Sequence, residues 1–156
     1  MISQKAKYAL RALSALARGD RAQPRQIMEI ATQQNIPKKF LEQILLDLKR
    51  EGIVRSLRGK QGGYLLQRPP EEVTFGEVLR IIDGPLAPLP CLSITAYRRC
   101  EDCDGELACE IRHVFHRVAE AERAVLFSST IADGIHLADE ALAGAPETGE
   151  TVTEEA

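Results

Sequence analysis

With 156 residues the chain is long enough for one domain with a real hydrophobic core plus an appendage, and too short for a large catalytic fold, so no enzyme is expected. Its net charge of −3 hides a division, because residues 1–68 hold 14 Lys and Arg against 5 Asp and Glu, a balance of +9, and the remainder carries −12. A polyanion partner suits the first part. Lys5, Lys7, Arg11 and Arg18 interrupt the apolar positions of the N-terminus, which excludes the continuous apolar run of a signal peptide or membrane span; a cytoplasmic chain with no membrane partner is expected.

Ser3 predicts the cap of a first helix with Ala6, Ala9, Leu10, Leu13, Leu16 and Ala17 on one stripe, ended by Gly19-Asp20. A second short helix is expected to start near Pro24 and bury Ile27, Ile30 and Ala31. After the polar turn Gln33-Gln34-Asn35, Pro37 opens a third helix running through Glu51, with Phe40, Leu41, Ile44, Leu45 and Leu48 inward and Gly52 as its stop. Helix, short turn and helix at this spacing predict a helix-turn-helix whose second member enters a major groove.

Residues 53–57 and 64–66 read as two short strands around the basic, glycine-rich tip Arg58-Gly59-Lys60-Gln61-Gly62-Gly63. Arg58 and Lys60 there carry charge toward a minor groove or phosphates. The tip lacks a GKS/T sequence and a following phosphate-binding helix, which argues against a nucleotide loop. Pro69-Pro70 breaks the hairpin, and Thr74 caps a helix through Asp83 that Gly84-Pro85 ends. The resulting fold class is mainly α with a small β-hairpin wing, a winged helix-turn-helix over residues 1–84.

Residues 85–108 are too irregular to form a core of their own and need a partner, a metal or a second subunit to become ordered. All four cysteines of the chain, Cys91, Cys100, Cys103 and Cys109, lie within this stretch or just past it, so residues 85–109 are set apart as a cysteine-rich loop. Cytosolic thiols stay reduced, and thiolates are soft, charged donors, so a metal or redox site such as an iron–sulfur cluster is expected rather than a disulfide framework. Zinc and a cluster-free thiol switch stay open. A thioredoxin-like oxidoreductase is disfavoured because no βαβ pattern surrounds Cys100-x2-Cys103.

From Glu110 to about Phe127 runs the longest helical pattern, with Ile111, Val118 and Val125 seven apart and Val114, Phe115 and Ala121 between them. This 3.5-residue period suits a two-stranded seam and predicts a dimerization helix; an intramolecular packing stripe is the alternative. A terminal helix over about Thr130–Leu142 completes the segment 110–142, and the acidic tail 143–156 is expected to be disordered.

Four stretches carry a family resemblance over roughly residues 1–142: Ser3-Gln4-Lys5-Ala6-Lys7-Tyr8-Ala9-Leu10, residues 36–45 from Ile36-Pro37-Lys38-Lys39-Phe40 to Leu45, Arg58-Gly59-Lys60-Gln61-Gly62-Gly63-Tyr64, and Cys103-x5-Cys109 leading into the long helix. In these the chain resembles the IscR and NsrR family of winged-helix transcription regulators. The resemblance implies a homodimer with crossed long helices, recognition helices in the major groove of a double-stranded DNA operator, wings in the minor groove, and often an iron–sulfur cluster, 2Fe–2S or 4Fe–4S. It places Lys38, Lys39, Phe40 and Gln43 against DNA in the recognition helix, Arg58 at the wing, and Ser3, Lys5 and Lys7 near phosphates. Gln43 can read adenine bidentately and lysine can reach guanine or phosphate. Family clusters generally use three cysteines, the last two separated by five residues; Cys103 and Cys109 match that pair, while Cys91 and Cys100 compete for the third place. A fourth donor in some relatives is a histidine shortly after the last cysteine, and His113 stands one residue farther along. In others it is an acidic residue of the partner's first helix, where Tyr8 stands here.

Overall fold

The computed structural model describes residues 2–101, 103 and 105–145; the expected disordered tail falls, from residue 146 on, outside the described residues. Among the described residues six α-helices and one two-stranded antiparallel sheet follow in the order α1 (Gln4–Arg18), α2 (Ile27–Gln34), α3 (Lys38–Arg50), β1 (Val54–Leu57), β2 (Gly63–Leu66), α4 (Phe75–Asp83), α5 (Glu110–Ser128) and α6 (Ile131–Ala143). This is a winged helix-turn-helix carrying a long C-terminal helix.

α1 is the centre of the head. Ser3 Oγ accepts from Ala6 N–H at 3.0 Å and caps it. Its buried side chains are Ala6, Ala9, Ala12, Leu13, Ala15 and Leu16, a wider stripe than the sequence pattern alone marks, because α2, α3, α4 and α6 all pack against it. Alanines let those helices approach closely.

α2 starts at Ile27 rather than near Pro24. Arg25 is held in extended backbone by a bridge to Tyr64 of the wing, with Arg25 N–H to Tyr64 O at 3.0 Å and Tyr64 N–H to Arg25 O at 2.8 Å, and a helical residue cannot make both bonds. The helix begins instead where Glu29 accepts from Gln26 N–H at 3.3 Å. At its C-terminus Asn35 takes φ +49°, the left-handed conformation that asparagine tolerates better than most residues, and turns the chain into α3.

α3 buries Leu41, Ile44, Leu45 and Leu48 completely. Phe40 does not join them; it is 52 % exposed and meets the Tyr8 ring edge-on at 6.3 Å. Its expected inward position is therefore corrected: at 3.6 residues per turn it falls on the rim of the apolar stripe. Gly52 ends the helix at φ +70°, with Gly52 N–H to Lys49 O at 3.1 Å and Ile53 N–H to Leu48 O at 3.0 Å, the left-handed stop that glycine adopts without strain.

The register Val54↔Leu66, Arg55↔Leu65, Ser56↔Tyr64 and Leu57↔Gly63 sets the wing. α6 returns to the head. Its first residue, Ile131, is 1 % exposed in the main core, Phe75 N–H donates to Ser129 O and Ile131 N–H to Val73 O, both at 2.9 Å, and Arg18 pairs with Asp139 at 2.6 Å. α5 has only one buried residue, Ala119, which with Cys91 and Leu92 forms a small satellite cluster. The 85–108 stretch thus packs against α5 through the 3-10 turn at Pro90–Leu92.

Candidate DNA-binding face and cysteine loop

The exposed side of α3 presents Lys38, Lys39, Phe40 and Gln43, the residues that the family resemblance implies for DNA contact. Lys38 stands 3.6 Å from Glu42 one turn on, a half-exposed pair that leaves both side chains in water. Gln43 donates its amide to Asp47 at 2.9 Å. Asp47 also receives Lys5 from α1 at 2.8 Å and lies 3.6 Å from Arg50, so two expected DNA residues from separate helices converge on one carboxylate. The Lys5 hydrogen bond is the main cause that holds the Asp47 carboxyl below the ordinary aspartate range, helped by Gln43 and opposed by burial. Sequence reasoning missed Asp47. The i, i+4 spacing from Gln43 was visible, but the reach from Lys5 was not.

Ser3 is occupied twice. Besides capping α1, its N–H donates to Asp83 Oδ2 at 2.9 Å and its hydroxyl donates to Asp83 Oδ1. The start of α1 is thereby tied to the last residue of α4, next to the Gly84-Pro85 step into the cysteine loop. Lys7 is exposed on α1.

The wing tip is fixed from both sides. Gly62 N–H donates to Gly59 O at 2.9 Å, closing the turn that exposes Arg58 and Lys60. Gly63 allows the Arg25 strand to approach, since a Cβ there would lie 2.4 Å from Arg25 O. Lys49 Nζ donates to Ser56 Oγ at 2.6 Å, fastening the end of α3 to β1. Lys7, Lys39, Arg58 and Lys60 form no ion pair among the described residues, which leaves their charge available to a phosphate backbone.

The cysteines are placed in different surroundings. Cys91 is 6 % exposed in the Ala119 cluster, Cys100 is exposed, and Cys103 and Cys109 are half-buried. Cys109 caps α5, its Sγ accepting from Arg112 N–H at 3.4 Å. His113 Nε2 lies 2.8 Å from Leu107 O, so its ring is engaged by a backbone carbonyl. Glu106 pins the loop, accepting from the Tyr97 hydroxyl and standing 3.4 Å from Arg112; that hydrogen bond raises the Tyr97 phenol above its ordinary range. Among the described residues no three His, Cys, Asp or Glu side chains gather closely enough to hold a metal ion. Four soft thiols suit an iron–sulfur cluster in type, but in this arrangement they do not fit one in place.

The outer side of α5 is apolar and uncovered, with Ile111, Val114 and Val125 each 62 % exposed and Val118 47 %. Among the described residues no helix is long and apolar enough to cross a membrane.

Residues 2–136 match the Rrf2 family, described as an iron-dependent transcriptional regulator. A Rhodobacter capsulatus protein described as an rrf2-like HTH-type transcriptional regulator is 52 % identical over 136 residues, covering 85 % of this chain and 91 % of that protein. Among solved structures, CymR of Bacillus subtilis, described as its global cysteine regulator, superimposes with a TM-score of 0.73 at 30 % identity, covering 88 % of this chain and 97 % of that one. IscR of T. potens superimposes with a TM-score of 0.68 at 27 % identity, covering 94 % and 93 %.

Proposed function

The chain belongs to the Rrf2 family of winged-helix transcriptional regulators, and from that premise we propose that it is a homodimeric operator-binding repressor whose grip on DNA is set by chemistry at Cys91, Cys100, Cys103 and Cys109. One observation carries the DNA reading: a closed core holds α3 and the wing rigid while Lys39, Arg58 and Lys60 stay exposed and without ion-pair partners among the described residues. Lys38, Phe40 and Gln43 face the major groove, Arg58 and Lys60 the minor groove, and Lys7 the phosphates. Lys5 and Ser3 act partly from behind, through Asp47 and Asp83. The uncovered stripe on α5 supports the homodimer, since burying it against its copy removes the apolar side chains from water and sets two readers on a two-fold operator.

An iron–sulfur cluster is the centre that the donor types favour, with Cys103 and Cys109 as ligands and Cys91, Cys100 or His113 completing the set. Taking it up requires the 91–109 loop to gather donors that stand apart here. The same separation, with the likeness to CymR, favours a second reading in which the thiols respond directly without a metal.

Selection of bound duplexes from a random pool tests the first part. The expected product is a two-fold symmetric site bound in a salt-dependent way, and no enrichment at any salt concentration would refute it. Anaerobic purification with iron and acid-labile sulfide analysis separates the readings of the cysteines. A coloured protein whose chromophore disappears in Cys103→Ser and Cys109→Ser supports the cluster. Colourless, iron-free protein with reactive thiols supports the switch.

A further inference from the structure

A cavity of about 300 Å³ opens between α4, the turn at residues 93–95 and α5, lined by Arg80, Leu86, Ser93, Ile94, Arg123 and Phe127. The Arg80 guanidinium lies 6.0 Å from the centre of the Phe127 ring and has no carboxylate partner among the described residues. Arg123 pairs with Glu120 at 2.6 Å, and Glu122 lines an adjoining hollow with Leu86, Arg123 and Phe127, so Arg80 is the guanidinium of this cleft left without a carboxylate partner among the described residues. Ser93, 8 % exposed, accepts from Ala96 N–H at 3.0 Å, which leaves its hydroxyl proton to donate. A second cavity of about 260 Å³ shares Ser93, Ile94 and Arg123 with the first, and Arg112 on its wall holds Nε–H buried with no acceptor among the described residues. A buried donor left unpaired costs free energy that an incoming acceptor recovers.

We propose that this cleft binds a small organic carboxylate, its apolar body on Leu86, Ile94 and Phe127 and its carboxylate drawn to Arg80 and Arg123. The apolar walls favour an amphipathic ligand over an inorganic anion, and guanidinium matches a carboxylate in a bidentate fashion. At 3.6 residues per turn, Arg123 and Phe127 stand on the side of α5 opposite Val114, Val118 and Val125, so pairing through that stripe does not use the residues of this cleft. The ligand touches α4 at the edge of the DNA-binding head, the cysteine loop and α5 at once, so its occupancy sets how these three segments sit together. That regulatory consequence rests on the DNA-binding reading, whereas the binding itself does not.

Isothermal titration of the full chain with octanoate, 1-octanol and inorganic phosphate tests it in the absence of DNA. Octanoate binds one per chain, at least about tenfold more tightly than octanol or phosphate. Arg80→Gln removes one charge, and Ile94→Trp, at a residue 74 % exposed and so clear of the core, fills the mouth. Each weakens octanoate by about tenfold or more while thermal melts stay at the parent value. No heat with octanoate, affinity unchanged in both variants, or phosphate bound as tightly as octanoate, an adventitious anion only, overturns the proposal. Operator binding measured separately on the same variants shows whether the DNA reading stands or falls independently.

Discussion

The head, residues 2–84 with α6, and the arm, residues 85–128, are built on opposite terms. In the head, side chains from α1, α2, α3, α4, β1 and α6 meet in one core with Leu13, Ile44, Leu45, Leu48 and Ile131 at 1 % exposure or less. The arm has Cys91, Leu92 and Ala119 as its buried cluster, and it turns valines and isoleucine outward. The head supplies its own stability. The arm leaves the apolar stripe of α5 exposed among the described residues.

Truncation of a core residue sharpens this contrast most. Leu45→Ala is expected to cost about 2–5 kcal/mol, read by urea or thermal unfolding, while Ile111→Ala leaves unfolding of the isolated head transition nearly unchanged. Val118→Asp places a charge in the exposed stripe. It leaves the head folded by circular dichroism, dissociates the dimer in sedimentation velocity, and weakens operator binding by at least about tenfold, roughly 1.4 kcal/mol. Equal sedimentation of the two proteins would count against the α5 seam.

Arg58→Ala is expected to weaken operator binding by about 1–3 kcal/mol and to lower the salt slope by about 1, with the dimer intact. Asp47→Asn frees Lys5 and Gln43 and has a smaller effect on affinity, a few-fold loss. It also has a pH signature: Asp47 titrates lower in the folded chain than in the unfolded one, so its stabilisation is present above the ordinary aspartate value of about 3.9 and is lost as pH falls through the folded value. The difference in unfolding stability between parent and Asp47→Asn should therefore shrink on acidification below about pH 4. Least affected of all, Asp139→Asn breaks an exposed pair with Arg18 and should leave the melting temperature within about 1 °C.

The head was legible because its helices are amphipathic and punctuated by residues with defined backbone roles. Ser3, Thr74, Gly52 and the glycine-rich tip each mark a boundary found within a residue or two of its expected place. What escaped are pairings across the sequence. The Arg25–Tyr64 bridge moved the start of α2, and Asp47 and Asp83 took hold of Lys5 and Ser3 from 42 and 80 residues away. No local period announces such contacts. The cysteines were legible as a group but not in their placement, because their spacing fixes chain length between donors and leaves the loop's packing on Ala119 unspecified. The cleft beside Arg80 and Arg123 had no sequence signal, since its walls come from three separate segments.

Chemistry at the cysteine loop is proposed to govern occupancy of the operator. Fluorescence anisotropy of a labelled operator, titrated anaerobically with one preparation before and after iron and sulfide reconstitution and again after thiol alkylation, tests it most directly. Affinity is expected to shift by about tenfold or more in at least one of these states relative to the untreated protein. Superimposable binding curves in all three states, with the dimer intact throughout, would contradict it.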